Sequence, residues 1–449
     1  MDINSIKSVY FIGIGGIGMS ALARYFKFIG KEVAGYDKVS TQLTQELEAA
    51  GIEIHYEDNV DLIHAKYKKV ASTLVVVTPA VPQEHSEWNY FKANQFEIKK
   101  RSEVLGIITK DTYCFAVAGT HGKTTTTSIL GHLLFQAGLD VTAFVGGVVE
   151  NYQTNLIGSG KTITVVEADE FDRSFLRLFP NVACITSTEA DHLDIFGTAE
   201  EMLVAFQDFA NRLPDADKLF VTEVVDLEGI RVGFGPSCTY QAKDIKVENG
   251  WYVFDLVTPT ETINNVVFGL PGRHNLSNAL MAFAMASDYG VDTQKLVEGL
   301  KSFRGVRRRF SYKIRREDLI YIDDYAHHPT EIKAASQAVH EMHGDKKIVA
   351  VFQPHLYSRT RDFMDEFAAA LSTFDNVILL DIYPARELPI EGITSGKLLE
   401  QLTSKQKHLV PKEELITHLK ASDAEIILTI GAGDIGEMVQ DIKIALEEK

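Results

Sequence analysis

The chain has 449 residues, 45% of them hydrophobic and 24% charged, the composition of a globular protein too long for one ordinary core. Its formal net charge of −17 excludes a general affinity for nucleic acid, because a phosphate backbone demands a basic surface. Cys114, Cys184 and Cys238 have no metal-ligand spacing, which predicts buried thiols in a reducing compartment. The N-terminal MDINSIKS lacks the charged region of a signal peptide, and no apolar stretch reaches the roughly 18 residues of a membrane span. The expectation is a cytoplasmic protein with no membrane insertion.

Residues 9–12 read as a short buried strand, followed by GIGGIG and then a helix over residues 20–28. Gly13, Gly15 and Gly18 occupy the G-x-G-x-x-G positions, with Gly16 between them, and a second strand at residues 32–36 runs into Asp37. This pattern fits a dinucleotide loop with an acid placed for a ribose hydroxyl. The same backbone can hold any diphosphate, or can simply let strand and helix approach closely. A strand over residues 74–78 ends at Thr78 and is stopped by Pro79 and Pro82, as strand ends lining a crevice are. A domain boundary is expected near residues 109–112.

Residues 113–118 form the next apolar run, and Ile129, Leu130, Leu133 and Leu134 recur beyond it at helical spacing. The connecting AGTHGKTTTT holds Gly119, Thr120, His121, Gly122, Lys123, Thr124 and Thr125. In such a turn the glycines let N–H groups close on phosphate oxygens, the helix start adds partial positive charge, and Lys123 adds a full one. Thr124 offers a hydroxyl to Mg²⁺. The full G-x-x-x-x-G-K-[ST] pattern is not met, since its first glycine is Val117 here. The plain alternative is a tight turn with a solvated lysine.

In TITVVEADEFD, Glu167 ends a strand with Asp169, Glu170 and Asp172 beyond it, carboxylates that suit Mg²⁺ or a solvated loop. His192 follows the strand at residues 182–187, flanked by Asp191 and Asp194, and is either structural or a metal or phosphate contact. Residues 219–270 are β-rich, with alternation over 251–256. Asn275 and Asn278 open the next helix as a cap or as adenine contacts. Arg307, Arg308 and Arg309 are a solvated face or a source of charge for a transferring phosphoryl group.

A further domain begins near Ser311. Its strand at residues 319–322 ends in DDYAHHPTE, with Asp323, Asp324, His327 and His328, and Pro329 takes the favoured first helical position. That spacing is none of the standard zinc patterns. The strand at residues 348–352 runs into QPHLYSRTRD with His355, Arg359 and Arg361, and strands at residues 376–381 and 425–430 follow, the latter ending in GAGD. Strands alternating with helices predict a parallel sheet with functional groups at the strand C-termini.

The order GIGGIG, GTHGKTTTT, EADE, DHLD, HNLSNA, RRRF, DDYAHHPTE, FQPH and GAGD resembles the Mur ligases of peptidoglycan synthesis along essentially the whole chain. The resemblance implies an α/β protein of three domains: a Rossmann-like UDP-sugar domain at residues 1–108, a central P-loop ATPase-type mixed sheet at 109–310, and a Rossmann-like nucleotide and amino-acid domain at 311–449. It assigns Gly13, Gly15, Gly16, Gly18, Asp37 and Thr78 to a UDP-sugar in place of NAD. It gives ATP to the loop from Gly119 to Thr125 with Asn275 and Asn278, and Mg²⁺ to Thr124, Glu167 and His192. Lys123, Arg309, Asp324 and His327 become the catalytic group, and His355 and Arg359 the amino-acid site.

The implied reaction is ATP-dependent joining of L-alanine to the lactyl carboxylate of UDP-N-acetylmuramate through an acyl phosphate. A relative that recycles a released tripeptide onto the same UDP-sugar stands as the alternative. The implied partners are small-molecule substrates, with the chain a monomer or weak dimer. Family members of this type commonly carry Arg after the histidine of QPH, where this chain has Leu356. Several also use a carbamylated lysine shortly after DHLD; none lies between His192 and Asp217, so none is expected, which fits the alanine-adding branch.

Overall fold

In the computed structural model, which describes residues 3–189, 196, 198–344, 346–385 and 387–448, the described residues form 21 strands in three sheets. The first sheet contains β1 (Ser8–Ile12), β2 (Glu32–Tyr36), β3 (Glu53–His55), β4 (Thr73–Val77) and β5 (Glu97–Lys100), all parallel in the order β3-β2-β1-β4-β5. β1 and β4 are buried along their whole length, which is why they read as unbroken apolar runs. Strand order reverses between them, so the crevice of this sheet opens outside their carboxyl ends.

The second sheet holds β6 (Tyr113–Ala118), β7 (Val141–Val149), β8 (Thr154–Gly158), β9 (Ile163–Glu167), β10 (Val182–Ile185), β11 (Leu219–Thr222), β12 (Ile230–Gly233), β13 (Tyr240–Glu248), β14 (Trp251–Val257) and β15 (Thr262–Phe268). Their order is β15-β14-β13-β12-β11-β10-β6-β9-β7-β8. β6 runs parallel to both neighbours, β10 and β9, so the loops after these three strands leave the same edge side by side. β8 is antiparallel to β7, which makes the sheet mixed, as expected.

The third sheet is β16 (Ser311–Arg315), β17 (Ile320–Asp324), β18 (Ile348–Phe352), β19 (Asn376–Leu379), β20 (Gln406–Leu409) and β21 (Ile426–Ile430), in the order β16-β17-β21-β18-β19-β20. Only β16 is antiparallel to its neighbour. Its two faces carry separate cores, one around Ile322, Val339, Phe352 and Leu371, the other around Tyr321, Val351, Leu415 and Ile427.

The chain divides into two compact units, Met1–Asp244 with Phe254–Val267 and Ser277–Phe303, and Ile245–Val253 with Phe268–Leu276 and Arg304–Lys449. Within the first unit one core runs through both sheets, from Val9, Phe11 and Phe26 to Phe144, Val166 and Phe206. Asn155 on β8 pins the start of helix Ile17–Phe28, its Nδ2 donating to the Ile17 carbonyl at 2.6 Å and to Ser20 Oγ at 2.8 Å. Residue 108 falls inside helix Arg101–Lys110, whereas residue 310 directly precedes β16. All three cysteines are buried and free, and burial pushes the Cys114 thiol up to about 12, so it is chemically quiet. Among the described residues no helix is long and apolar enough to cross a membrane.

Candidate active site

At the end of β6 the chain turns through Gly119 and Gly122, at φ of +129° and +85°. A Cβ on Gly119 would lie 2.2 Å from Thr186 Oγ1, and one on Gly122 would lie 2.5 Å from Asn278 Oδ1, so both positions require glycine. Helix Lys123–Gln136 starts directly after this turn with no side-chain cap, and its first hydrogen bond back to the turn comes from Thr126 N to the Gly122 carbonyl, 2.9 Å. A helix start of this kind, with its positive dipole end at the turn, suits an anion. Thr120 ties the loop to the end of β10, its N donating to the Ser187 carbonyl at 3.0 Å and its hydroxyl to Ser187 Oγ at 2.9 Å. His121 lies 3.5 Å from Glu189 in a largely exposed pair, which contributes little. Lys123 does not extend past the loop: its Nζ donates to the Gly119 carbonyl at 2.6 Å and to both carboxylate oxygens of Glu170 at 2.8 Å.

Among the described side chains at the end of β9 and in the loop after it, three carboxylates are held in three ways. Glu167 accepts the Gly146 N–H at 2.6 Å, and a Cβ on Gly146 would sit 2.5 Å from its second oxygen. Asp169 accepts the Phe171 N–H at 3.1 Å and meets Arg101 Nη2 at 3.4 Å. Glu170 is 1% exposed and faces Lys123. Thr124 and Glu167 carry hard oxygen donors of the kind Mg²⁺ takes, and that ion ordinarily uses only one or two protein carboxylates. Among the described residues there is no cluster of three or more His, Cys, Asp or Glu that could hold a metal ion. His192, with Asp191 and Asp194, lies outside the described residues.

In the first sheet Gly13, Gly15, Gly16, Gly18, Asp37 and Thr78 come together at the carboxyl ends of β1, β2 and β4. Gly13 has φ of +86°, and a Cβ there would lie 2.3 Å from Thr78 Cγ2. Gly15 N donates to Asp37 Oδ2 at 2.7 Å. Gly16 begins helix Ile17–Phe28 without a side-chain cap. Above Gly18 lies Arg101, whose Nη1 would be 2.5 Å from an added Cβ. Sequence reasoning missed Arg101. The available signal was the basic KKR at the end of a short strand, which places a full positive charge beside a loop shaped for anions. On the opposite face Tyr10 donates to Glu87 Oε2 and meets His55 Nε2, both at 2.8 Å. Burial lifts the Glu87 carboxyl to about 7 and lowers the His55 imidazole.

The second unit gathers another set at the carboxyl ends of β17 and β18. Asp324 accepts N–H groups from Phe310 at 2.8 Å and Ala326 at 2.7 Å, yet burial still lifts it to about 7. The His327 and His355 rings are 6.3 Å apart, and Arg359 Nη1 is 3.4 Å from His355 Nδ1. Tyr325 packs edge-on to His327 and Tyr383 stacks on His355; neither tyrosine was singled out from the sequence. Leu356 sits at φ of +73°, a conformation ordinarily left to glycine, with its N–H donating to the Tyr383 carbonyl at 3.0 Å.

The arginine run separates by role. Arg308 is an internal brace, 3.4 Å from the buried Asp323 and donating to the Gly431 carbonyl, while Arg309 N donates to the Val306 carbonyl at 3.0 Å. Burial, and then the charge of Arg309, hold the His274 imidazole below its usual range. Asn275 is not the helix cap its residue type predicts. Helix Arg273–Asp288 begins two residues earlier, and Asn275 Nδ2 donates back to the Pro271 carbonyl at 2.7 Å. Asn278 is placed against the phosphate-type loop, at Gly122. Thus the glycine loops, Lys123, Thr124, Glu167 and Asn278 belong to the first unit, and Asn275, Arg309, Asp324, His327, His355 and Arg359 to the second.

Residues 8–113 match the Mur ligase family catalytic domain, 117–286 the Mur ligase middle domain, and 308–433 the Mur ligase glutamate ligase domain. The chain is 62% identical to a UDP-N-acetylmuramate--L-alanine ligase from Flavobacterium psychrophilum, over 449 residues covering all of both chains. It is 55% identical to the protein of the same name from Christiangramia forsetii, over 99% of each. Among solved structures it resembles the UDP-N-acetylmuramate-alanine ligase of Thermotoga maritima, with a TM-score of 0.83 at 27% identity over 98% of this chain and 99% of the other. A murein peptide ligase from Psychrobacter arcticus shares the fold, with a TM-score of 0.66 at 22% identity over 99% of each chain.

Proposed function

The chain belongs to the Mur ligase family, and we propose that it is the ligase that joins L-alanine to the lactyl carboxylate of UDP-N-acetylmuramate at the expense of ATP, in peptidoglycan precursor synthesis. The observation that carries this reading is the 62% identity, over the full length, to a relative bearing that activity in its name. The tripeptide-recycling alternative has less support, since the Psychrobacter arcticus murein peptide ligase is 22% identical against 62% for the Flavobacterium psychrophilum alanine ligase.

In this reading the lactyl carboxylate attacks the γ-phosphorus of ATP to give an acyl phosphate and ADP. The alanine amine then attacks the acyl carbon, and phosphate leaves. Phosphoryl transfer asks a protein mainly for positioning and charge neutralisation. Gly119, Thr120, His121, Gly122, Thr125 and the N-terminus of helix Lys123–Gln136 cradle the phosphates, Lys123 supplies charge, and Asn275 and Asn278 contact adenosine. Thr124 and Glu167, with His192, would hold Mg²⁺, which would supply charge neutralisation for the phosphates. Arg309 supplies charge for the transferring phosphoryl group.

Gly13, Gly15, Gly16, Gly18, Asp37 and Thr78 take the UDP-sugar. Arg101, over the first turn of the glycine-loop helix, adds a cation for its diphosphate. His355 and Arg359 receive the alanine carboxylate. His327 is the proton acceptor for the amine, with Asp324 beside it on the same strand end. Residues 1–108, 109–310 and 311–449 would then divide the UDP-sugar, the nucleotide and the amino acid among them, so that closure precedes chemistry. We place the reaction in the cytoplasm, carried out by a monomer or weak dimer on small molecules.

The test is phosphate release from ATP with UDP-N-acetylmuramate and either L-alanine or the recycled tripeptide. Release that requires L-alanine supports the reading. Release with the tripeptide alone selects the recycling activity.

A further inference from the structure

The ammonium of Lys123 is fully occupied inside the protein. It donates to both oxygens of Glu170 at 2.8 Å and to the carbonyl of Gly119 at 2.6 Å, with the Thr120 carbonyl a further 3.3 Å contact. An ammonium has three hydrogens, so none is left for a phosphate. Its counter-ion is fixed just as firmly. Glu170 is 1% exposed, starts the turn Phe171–Arg177, and comes from the loop after β9, which runs parallel to β6. The Lys123 side chain is 17% exposed, so the pair is shielded from water and its attraction is only weakly screened.

A polyphosphate bound in the turn from Gly119 to Gly122 must therefore take the ammonium away from Glu170. Once this happens, the carboxylate remains in a buried position facing the added negative charge of the nucleotide. Both effects oppose binding. We infer that Glu170 is a positioning residue that holds Lys123 back and competes with the polyphosphate for its ammonium, so that this one carboxylate sets how tightly nucleotide is held and how readily ADP leaves. The inference rests on the reading of this loop as the ATP site. It differs from the roles of Thr124 and Glu167, because Glu170 acts through Lys123.

The test measures ADP binding to the full chain by calorimetry in EDTA, where loss of a metal contact cannot mask the change, for wild type, Glu170→Gln, Glu170→Asp, Lys123→Ala and the Lys123→Ala/Glu170→Gln double variant. Glu170→Gln should tighten ADP binding about tenfold, equivalent to roughly 1.4 kcal/mol. Glu170→Asp, whose shortened carboxylate loses the two-oxygen grip, should tighten it less, and this variant carries the test if the Gln variant does not fold. The gain should vanish in the Lys123→Ala background. In turnover, KM for ATP should fall in Glu170→Gln by a larger factor than kcat changes, whereas a merely structural role would raise KM and lower kcat together. Unchanged or weaker ADP binding with Lys123 present overturns the inference, as does an equal gain in its absence. If Lys123→Ala binds ADP like wild type, the ATP-site reading itself fails and this inference falls with it.

Discussion

Asn278 Oδ1 stands 2.5 Å from the point that a Cβ on Gly122 would occupy, so the second turn of one helix closes directly on the turn that begins another. Gly122 is also at φ of +85°. Alanine there meets a clash and a left-handed backbone penalty of about 1 to 2 kcal/mol. The Gly122→Ala variant is expected to lose nucleotide binding in calorimetry and to melt at a lower temperature, while UDP-sugar binding stays near wild type.

Arg101 gives a prediction of the opposite selectivity. If its guanidinium serves the diphosphate beside Gly18, Arg101→Ala should weaken UDP-N-acetylmuramate binding by about tenfold or more, in line with the loss of one charge-assisted hydrogen bond. KM for ATP should hardly move. A larger effect on ATP than on the UDP-sugar would place Arg101 with Asp169 and the nucleotide instead.

Lys123→Ala should retain UDP-sugar binding and lose catalysis by about a hundredfold to a thousandfold, the scale set by removal of one oxyanion donor. Steady-state phosphate release measures the loss, and near wild-type turnover would remove Lys123 from the mechanism.

The buried Glu87 makes stability depend on pH. Its carboxyl is raised from 4.5 to about 7 by burial, so between these values the folded chain binds more protons than the unfolded one. The neutral carboxyl therefore contributes stability below the unfolded value, and this is lost as pH rises through about 7. Urea midpoints at about pH 5 and about pH 8 should fall more steeply for wild type than for Glu87→Gln. Equal slopes would mean that Glu87 does not titrate in this range.

Much of this architecture was legible from the sequence, and the failures have physical causes. β6 and β18 are buried on nearly every residue and announce themselves as apolar runs. β5 is only partly buried along Glu97–Lys100, a charged edge strand without an apolar signal, and with it went Arg101. The grouping of His327 with His355 depends on β21, the last strand, lying between β17 and β18, a long-range pairing that no local pattern encodes. The Lys123–Glu170 pair likewise joins residues 47 apart. Glycine loops were legible because their function depends on backbone, which glycine spacing reports directly; Tyr325, Tyr383 and Arg308 were not, because their roles are set by neighbours brought in by folding.

In the proposed reaction ATP activates the lactyl carboxylate of the UDP-sugar. The most direct measurement uses UDP-N-acetylmuramate carrying oxygen-18 in that carboxylate, with unlabelled ATP and L-alanine, followed by mass analysis of the released phosphate. Transfer through an acyl phosphate places one labelled oxygen in each phosphate released. Phosphate free of label, with the amide still formed, would rule out the acyl phosphate.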